Sequence, residues 1–336
     1  MRQQLPATPT RDDSQALKGL AVILMIVHHL LINGFYDDLE SHVLIDEYAL
    51  TFKVRLRVLG KICIGIFMFV TAYGYSLSKH RDWGYSFSHI RDLLARYWVL
   101  LLAFIGIGAL AGNLPQLRMV LLNMFGLAST YSCANWYVYF YIYAMLILPA
   151  IVRLIDLYRV KTLVLSVIIC GIASLLLRSD NLWIGAVRQC LFYTPVLVVG
   201  CYVARCGLPF IKHQFSKLEL LLMLAVLLIA GCYSRDIYGF CTYTVLVPAL
   251  AFTLTMLFRY QGTQTIKTAL AHLGELSLYM WFIHTVFFSF MTRSLFQQSS
   301  LWPDSIVLIF LLVFFSSLAL SYLLSRVERA IVKKKG

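Results

Sequence analysis

The sequence predicts an all-α polytopic membrane protein with about ten transmembrane helices and both termini in the cytoplasm. Three observations carry that prediction. Hydrophobic residues make up 60% of the 336 and charged residues only 13%, with a mean hydropathy of +0.77. A water-soluble domain of that length needs far more polar surface. The apolar residues come in long runs, and a helix rising about 1.5 Å per residue needs about 20 of them to cross a hydrocarbon core of about 30 Å. Between the runs lie the basic residues, and with both termini inside, 20 of the 29 Lys and Arg fall on the cytoplasmic side. The formal charge of +13 therefore reads as membrane topology rather than as a nucleic-acid footprint.

Residues 1–15 are a polar cytoplasmic segment. The first span, 16–35, reads ALKGLAVILMIVHHLLINGF. It is too long, too polar at its histidines and too lacking in a small-x-small site to be a cleaved signal, so it is expected to stay attached. Further spans are expected at 58–78, 97–113, 134–153, 162–178, 184–203, 217–233, 239–258, 273–293 and 304–326, followed by a basic cytoplasmic tail, 327–336. Between the third and fourth, the segment Leu114 to Cys133 is apolar but short, which suits an external amphipathic or re-entrant helix; counted as a span it breaks the parity. The longest connectors, 36–57 and 79–96, are too short for an independent core. Residues 16–326 are thus expected to form one membrane domain that holds any chemistry.

The eight cysteines contain no C-x-x-C, so neither a zinc site nor a redox motif is readable and no metal is predicted. Cys232 and Cys241 flank a short external turn; spacing leaves open whether they pair.

Histidines inside apolar helices are costly and need a role. His29 lies 12 residues beyond Leu17 in the first span, and His284 lies 11 beyond Leu273 in the ninth. Both are then about 16–18 Å deep, a little past the middle of the bilayer. Two imidazoles at one depth suit a general base with an orienting or stabilising partner. His28 points about 100° away from His29 and is read as a packing residue bonded to a neighbouring helix. Ser277, seven residues before His284, shares its face and is a candidate to line the approach.

On the cytoplasmic side, His89, Arg91 and Arg96 stand beside Tyr97 and Trp98. Arginines next to aromatic rings suit a phosphorylated, adenine-bearing ligand, although positive-inside anchoring with an aromatic belt predicts the same residues. Arg55, Arg57 and Lys61, with Arg188 at the start of the sixth span, fall where topology disfavours cations. They suit an anionic acceptor, such as a lipid pyrophosphate or an acidic sugar.

Four patterns together resemble the acyltransferase 3 family of integral membrane acyltransferases. The first span carries Lys18-Gly19-Leu20-Ala21 and, ten residues after Lys18 are passed, His29, which selects His29 over His28. GIFMFVTAYGY supplies Gly65, Phe67, Phe69 and Gly74. NWYVYFYIYAMLILP supplies Trp136 and Pro149, and LGELSLYMWFIH supplies Gly274, Ser277, Tyr279, Trp281 and His284. The chain departs from the family in carrying Lys18 where many members have Arg, which keeps the charge and loses the bidentate fork. It also has Leu93 at the first position of an Arg-x-x-Arg pair ending in Arg96, and lacks the acid that follows the tryptophan.

The resemblance implies transfer of an acyl group, most often acetyl from acetyl-CoA, to a hydroxyl of an envelope or extracellular polysaccharide or its lipid-linked precursor. It implies a multi-pass protein of the cell's inner or plasma membrane. Lys18, Arg91 and Arg96 are then expected to hold the acetyl-CoA phosphates while the thin pantetheine arm enters the bundle. His29 is expected to deprotonate the acceptor or carry the acyl group, with His284 or Ser277 positioning the reactants. Trp136, Tyr279, Arg55, Arg57 and Arg188 are candidate acceptor contacts. The reading from another class is a proton-coupled transporter or exporter of a small anion, lipid or oligosaccharide, in which the histidines form a proton relay.

Overall fold

The computed structural model describes residues 9–32, 47–110, 112, 116–128, 135–177, 181–207, 215–233, 239–287 and 306–333. Every regular element among the described residues is a helix. Helices α1 (Arg11–Ile32), α2 (Glu47–Gly60), α3 (Ile62–Leu77), α4 (Trp83–Leu110), α5 (Leu117–Met124), α6 (Trp136–Tyr158) and α7 (Val160–Leu176) form the first half. The second half holds α8 (Leu182–Cys206), α9 (Lys217–Cys232), α10 (Gly239–Leu257), α11 (Gln264–Glu275), α12 (Ser277–Val286) and α13 (Ile306–Lys333).

Among the described residues, six helical stretches are long and apolar enough to cross a membrane: Arg11–Leu31, Phe52–Leu77, Trp83–Leu110, Trp136–Tyr158, Trp183–Cys206 and Val307–Ala330. Helices Val160–Leu176 and Tyr243–Leu257 are apolar but shorter. The expected span 217–233 is the 16-residue α9. The expected ninth span is not one helix. It is entered nine residues earlier, by α11, and breaks at Leu276, whose N–H bonds the Leu273 carbonyl instead of continuing the i−4 ladder. Among the described residues between Leu114 and Cys133 the helix is the eight-residue α5, about 12 Å long and too short to span.

The helices gather into two compact units, Met1–Val70 with Gly207–Gly336, and Thr71–Cys206. In the first, α1 is packed along α11, α2 and α12, and α12 against α13. The sequence starts α1 with a reciprocal cap. The Thr10 N–H and hydroxyl both donate to Asp13 Oδ2 at 2.8 Å, and the Asp13 N–H donates back to Thr10 Oγ1 at 3.2 Å, satisfying donors that a helix start leaves orphaned. Helix α9 starts the same way at Ser216, with Glu219 as the returning carboxylate.

In the second unit, Tyr139 donates to Gln189, Tyr143 bonds Thr194 at 2.8 Å, and Arg205 pairs with Asp156 at 2.7 Å. Residue numbers rise together on both helices, so α6 and α8 run parallel. Helix α5 is held against α4 by its last carbonyls: Tyr97 Oη donates to Asn123 O at 2.5 Å and Trp98 Nε1 to Met124 O at 2.9 Å. Asn135 Nδ2 donates to Asn123 Oδ1 at 3.0 Å. Gly126 makes the turn with φ +73°, and a Cβ there would lie 2.2 Å from the Asn135 carbonyl oxygen. A buried polar knot of this kind rigidifies because each group is satisfied.

Cys232 carries a free thiol, and the side chain of Cys241 lies outside the described residues, as do 288–293 of the expected ninth span.

Candidate functional site

Helix α1 brings His29 to its last turn, directly after His28, and α12 brings His284 to its own. His29 Nδ1 and His284 Nε2 lie 2.6 Å apart, with the rings stacked at 4.9 Å and 19°. The expected match in depth is thus a direct contact. His284 Nδ1 lies 2.9 Å from the Met280 carbonyl oxygen, one turn back on its own helix.

That carbonyl decides where the protons sit. A carbonyl oxygen only accepts, so His284 Nδ1 must carry the hydrogen, and in the neutral ring Nε2 then holds a lone pair. The lone pair accepts from His29, so His29 Nδ1 carries its hydrogen as well. Within the pair, the ring nitrogen left without a proton is His29 Nε2. Access follows the same order: His284 is completely buried, whereas His29 is half-buried. Met280 carbonyl, His284 and His29 form a directed relay that ends in a lone pair on the accessible ring. Such an atom can take a proton from a hydroxyl or attack a carbonyl carbon.

His28 fills the bland role expected of it. Its Nδ1 donates to the Arg57 carbonyl at 2.7 Å, fastening α1 to α2 where that helix is about to break at Lys61. Ser277 opens α12, seven residues before His284. Lys18 is half-buried on α1, eleven residues before His29 and hence about 20° from it around the helix axis. No hydrogen bond or ion pair engages Lys18 among the described residues. Two carboxylates of the same unit are paired with other cations: Asp13 with Lys267 at 2.6 Å and Glu275 with Arg329 at 3.7 Å.

Other expected contacts are placed differently. Tyr279 donates its hydroxyl to Glu328 Oε2 of α13 at 2.6 Å, so it braces α12 rather than offering a free hydroxyl to an acceptor. The Arg55 guanidinium lies 4.3 Å over the Tyr233 ring, and the Arg57 backbone serves His28. Arg188 Nε donates to the Ser174 carbonyl at 2.9 Å, capping the last turn of α7. Arg91 is exposed and pairs with its neighbour Asp92 at 3.3 Å.

Hydropathy places Arg96 and Trp136 on opposite membrane faces, and here the structure differs. Tyr97 and Trp98 bond the end of α5, and Asn123 of α5 bonds Asn135, the residue before Trp136. Arg96 and Trp136 therefore stand at neighbouring levels of one unit. The reason is that α5 folds back beside α4, which a hydropathy profile reads only as a short apolar run. Trp136 itself packs edge-on to Tyr137 at 6.2 Å.

Sequence reasoning missed Asp13, Lys267 and Glu328. The available signals were the Thr10 to Asp13 capping spacing and a lone acid among the basic residues ending the last helix. Among the described residues no cluster of three metal-binding side chains occurs.

A family model described as an acyltransferase domain matches residues 12–326, nearly the whole chain. No curated protein and no solved structure matches it.

Proposed function

We propose, for a chain that belongs to the acyltransferase 3 family, that His29 catalyses transfer of an acetyl group from cytoplasmic acetyl-CoA to a carbohydrate hydroxyl of the cell envelope. The family and the apolar helices make the protein a membrane acyltransferase; donor, acyl group and acceptor are our reading. The observation that carries it is the free lone pair on His29 Nε2 at the end of the relay through His284 and Met280.

In the direct route the acceptor oxygen attacks the thioester carbonyl while His29 Nε2 takes the hydroxyl proton. The C–S bond then breaks and the proton passes to the departing thiolate, so no charge is left in the membrane. Positive charge developing on His29 is shared through its Nδ1–H with His284, the orienting part that an acidic residue plays in a catalytic triad. In the covalent route the same Nε2 attacks the thioester, the C–S bond breaks, and the His29 Nδ1 proton passes through His284 Nε2 to the departing thiolate, leaving a neutral acyl-imidazole. The acceptor oxygen then attacks that acyl carbon, the N–acyl bond breaks, and the hydroxyl proton returns through His284 to His29 Nδ1. Lys18, half-buried and on the His29 face, is the cation that meets a donor phosphate. Arg91 and Arg96 are further donor contacts to be tested singly, and Ser277 is positioned to line the approach.

In this reading α7, α9, α10 and the α11–α12 pair cross the membrane along with the six longer stretches. That makes ten passes with both termini cytoplasmic in the inner or plasma membrane, as the distribution of Lys and Arg favours. The acceptor is an exported polysaccharide or its lipid-linked precursor, and Trp136 is an aromatic platform for a sugar ring.

The test supplies radiolabelled acetyl-CoA to the cytoplasmic face of proteoliposomes containing the native glycan, with wild type beside His29→Ala. Label reaching the glycan only with wild type supports the proposal. Wild-type protein that never consumes acetyl-CoA, or that moves substrate in response to a proton gradient alone, replaces it with transport.

A further inference from the structure

Helices α1 and α11–α12 run side by side in one direction, since Asp13 meets Lys267 near their starts and His29 meets His284 near their ends. Between those points the two backbones touch. A Cβ on Gly19 would stand 1.9 Å from the Leu270 carbonyl oxygen, and a Cβ on Gly274 would stand 1.9 Å from the Gln15 carbonyl oxygen and 3.1 Å from Gly19 N. Gln15 precedes Gly19 by one helical turn and Leu270 precedes Gly274 by one. Each glycine therefore admits the carbonyl lying one turn below the other, and the contact is reciprocal.

From this contact the two histidines are equally far along the chain. His29 is ten residues after Gly19, and His284 is ten after Gly274. At about 1.5 Å per residue both lie about 15 Å further on, so a register fixed at the glycines is delivered unchanged to the imidazoles. The break at Leu276 gives α12 its own direction without adding a residue to the count. Below the glycines, Asp13 is 2% exposed in its side chain and its Oδ1 meets Lys267 Nζ at 2.6 Å, while Oδ2 caps α1. One carboxylate thus starts α1 and fastens it to α11.

We propose that the Gly19–Gly274 backbone contact, seated by the Asp13–Lys267 ion pair, is a register mark that positions His29 and His284 for the reaction. This rests on the reading of that pair as the reacting centre. Gly19, Gly274, Asp13 and Lys267 are positioning residues, acting through the histidines. The atoms facing each glycine are backbone, so they yield only if the helices part. Ordinary contact begins at 3.4 Å, so a methyl group at either glycine separates the helices by about 1.5 Å. The same separation opens a 2.6 Å bond beyond hydrogen-bonding reach.

The first measurement is turnover of acetyl-CoA by Gly19→Ala and Gly274→Ala in proteoliposomes. The expected result is kcat lowered about 100-fold, with KM for acetyl-CoA little changed, because a misplacement of about 1 Å costs about that much in rate. Lys267→Gln is expected to move kcat in the same direction, and Lys267→Arg to restore it.

The second measurement does not depend on turnover. His29→Cys with His284→Cys is treated with dibromobimane, which fluoresces on bridging two nearby thiols, and single-cysteine forms serve as controls. Bridging is expected in that background and is expected to be lost when Gly19→Ala is added. Wild-type kcat in both alanine variants, or bridging undiminished by Gly19→Ala, overturns the proposal. If Gly19→Ala does not accumulate in the membrane, Lys267→Gln in the two-cysteine background decides by the same readout. If wild type does not use acetyl-CoA at all, the functional reading fails while bridging still reports on the register.

Discussion

Replacing His284 by alanine tests whether it acts through His29. In the native pair the His29 Nδ1–H is fixed by an acceptor 2.6 Å away. Losing that acceptor removes two effects. The two neutral tautomers of His29 become comparable in population, and a net hydrogen bond of about 1 kcal/mol no longer keeps the lone pair on Nε2. The larger loss comes as His29 turns cationic in the transition state. A hydrogen bond from a charged donor contributes about 1.5–3 kcal/mol, and His284→Ala forfeits it. Together they come to about 3 kcal/mol, or a fall in kcat of about 10²-fold. His29→Ala removes the base itself and is expected to cost about 10²–10⁴-fold.

The decisive number is the double variant. A residue that works only by orienting and supporting His29 has nothing left to do once His29 is gone, so His29→Ala/His284→Ala should be no slower than His29→Ala. The assay is the initial rate of label transfer from acetyl-CoA in proteoliposomes at saturating donor, normalised to folded protein. A double variant slower than His29→Ala by another factor of about 100 means that the two imidazoles contribute independently, and the relay is wrong. A His284→Ala enzyme within about threefold of wild type refutes it as directly.

Three further outcomes follow from the same contacts. Tyr279→Phe removes a hydrogen bond to the half-buried Glu328 carboxylate and is expected to destabilise the protein by about 1.5–3 kcal/mol, read as a lower Tm in detergent. Asn123→Leu leaves the Asn135 amide without its acceptor and is expected to lower stability by about 1–3 kcal/mol, whereas a substitution at exposed Leu121 on the same helix should move Tm little. Lys18→Met is expected to raise KM for acetyl-CoA about tenfold at unchanged kcat, the loss of one charge-assisted contact. Lys18→Arg should keep or tighten donor binding, because the guanidinium grips phosphate with two bonds.

Particular residues show how far the sequence reached. Residue counts from the apolar boundaries of two helices put His29 and His284 at one depth, and they are in contact. His28 points elsewhere on the helix, as its sequence position implies, and bonds the Arg57 carbonyl. Lys18 is legible as a cation on the first span, and it is half-buried there. Tyr279 shows where such reading stops: its position on α12 was legible, while its commitment to Glu328 depends on α13 lying alongside, 49 residues later. Hydropathy runs smoothly across Leu276 and predicts one helix for the ninth span, because nothing in that profile registers a ladder bond shifted from i−4 to i−3.

Depth is additive along a chain, because each residue of a helix adds the same rise and each apolar run must match the same bilayer thickness. The sequence by itself therefore determined that this protein lives in a membrane, where most of its helices begin and end, and which histidines share a level. Rotation and partnership are set by contacts between segments far apart in sequence. Only the tertiary structure decided that His284 leaves the lone pair on His29, that Asp13 takes Lys267, and that two glycines touch backbone to backbone. Each is a choice of which face of one helix meets which face of another. Side-chain packing makes that choice, and a one-dimensional profile averages it away.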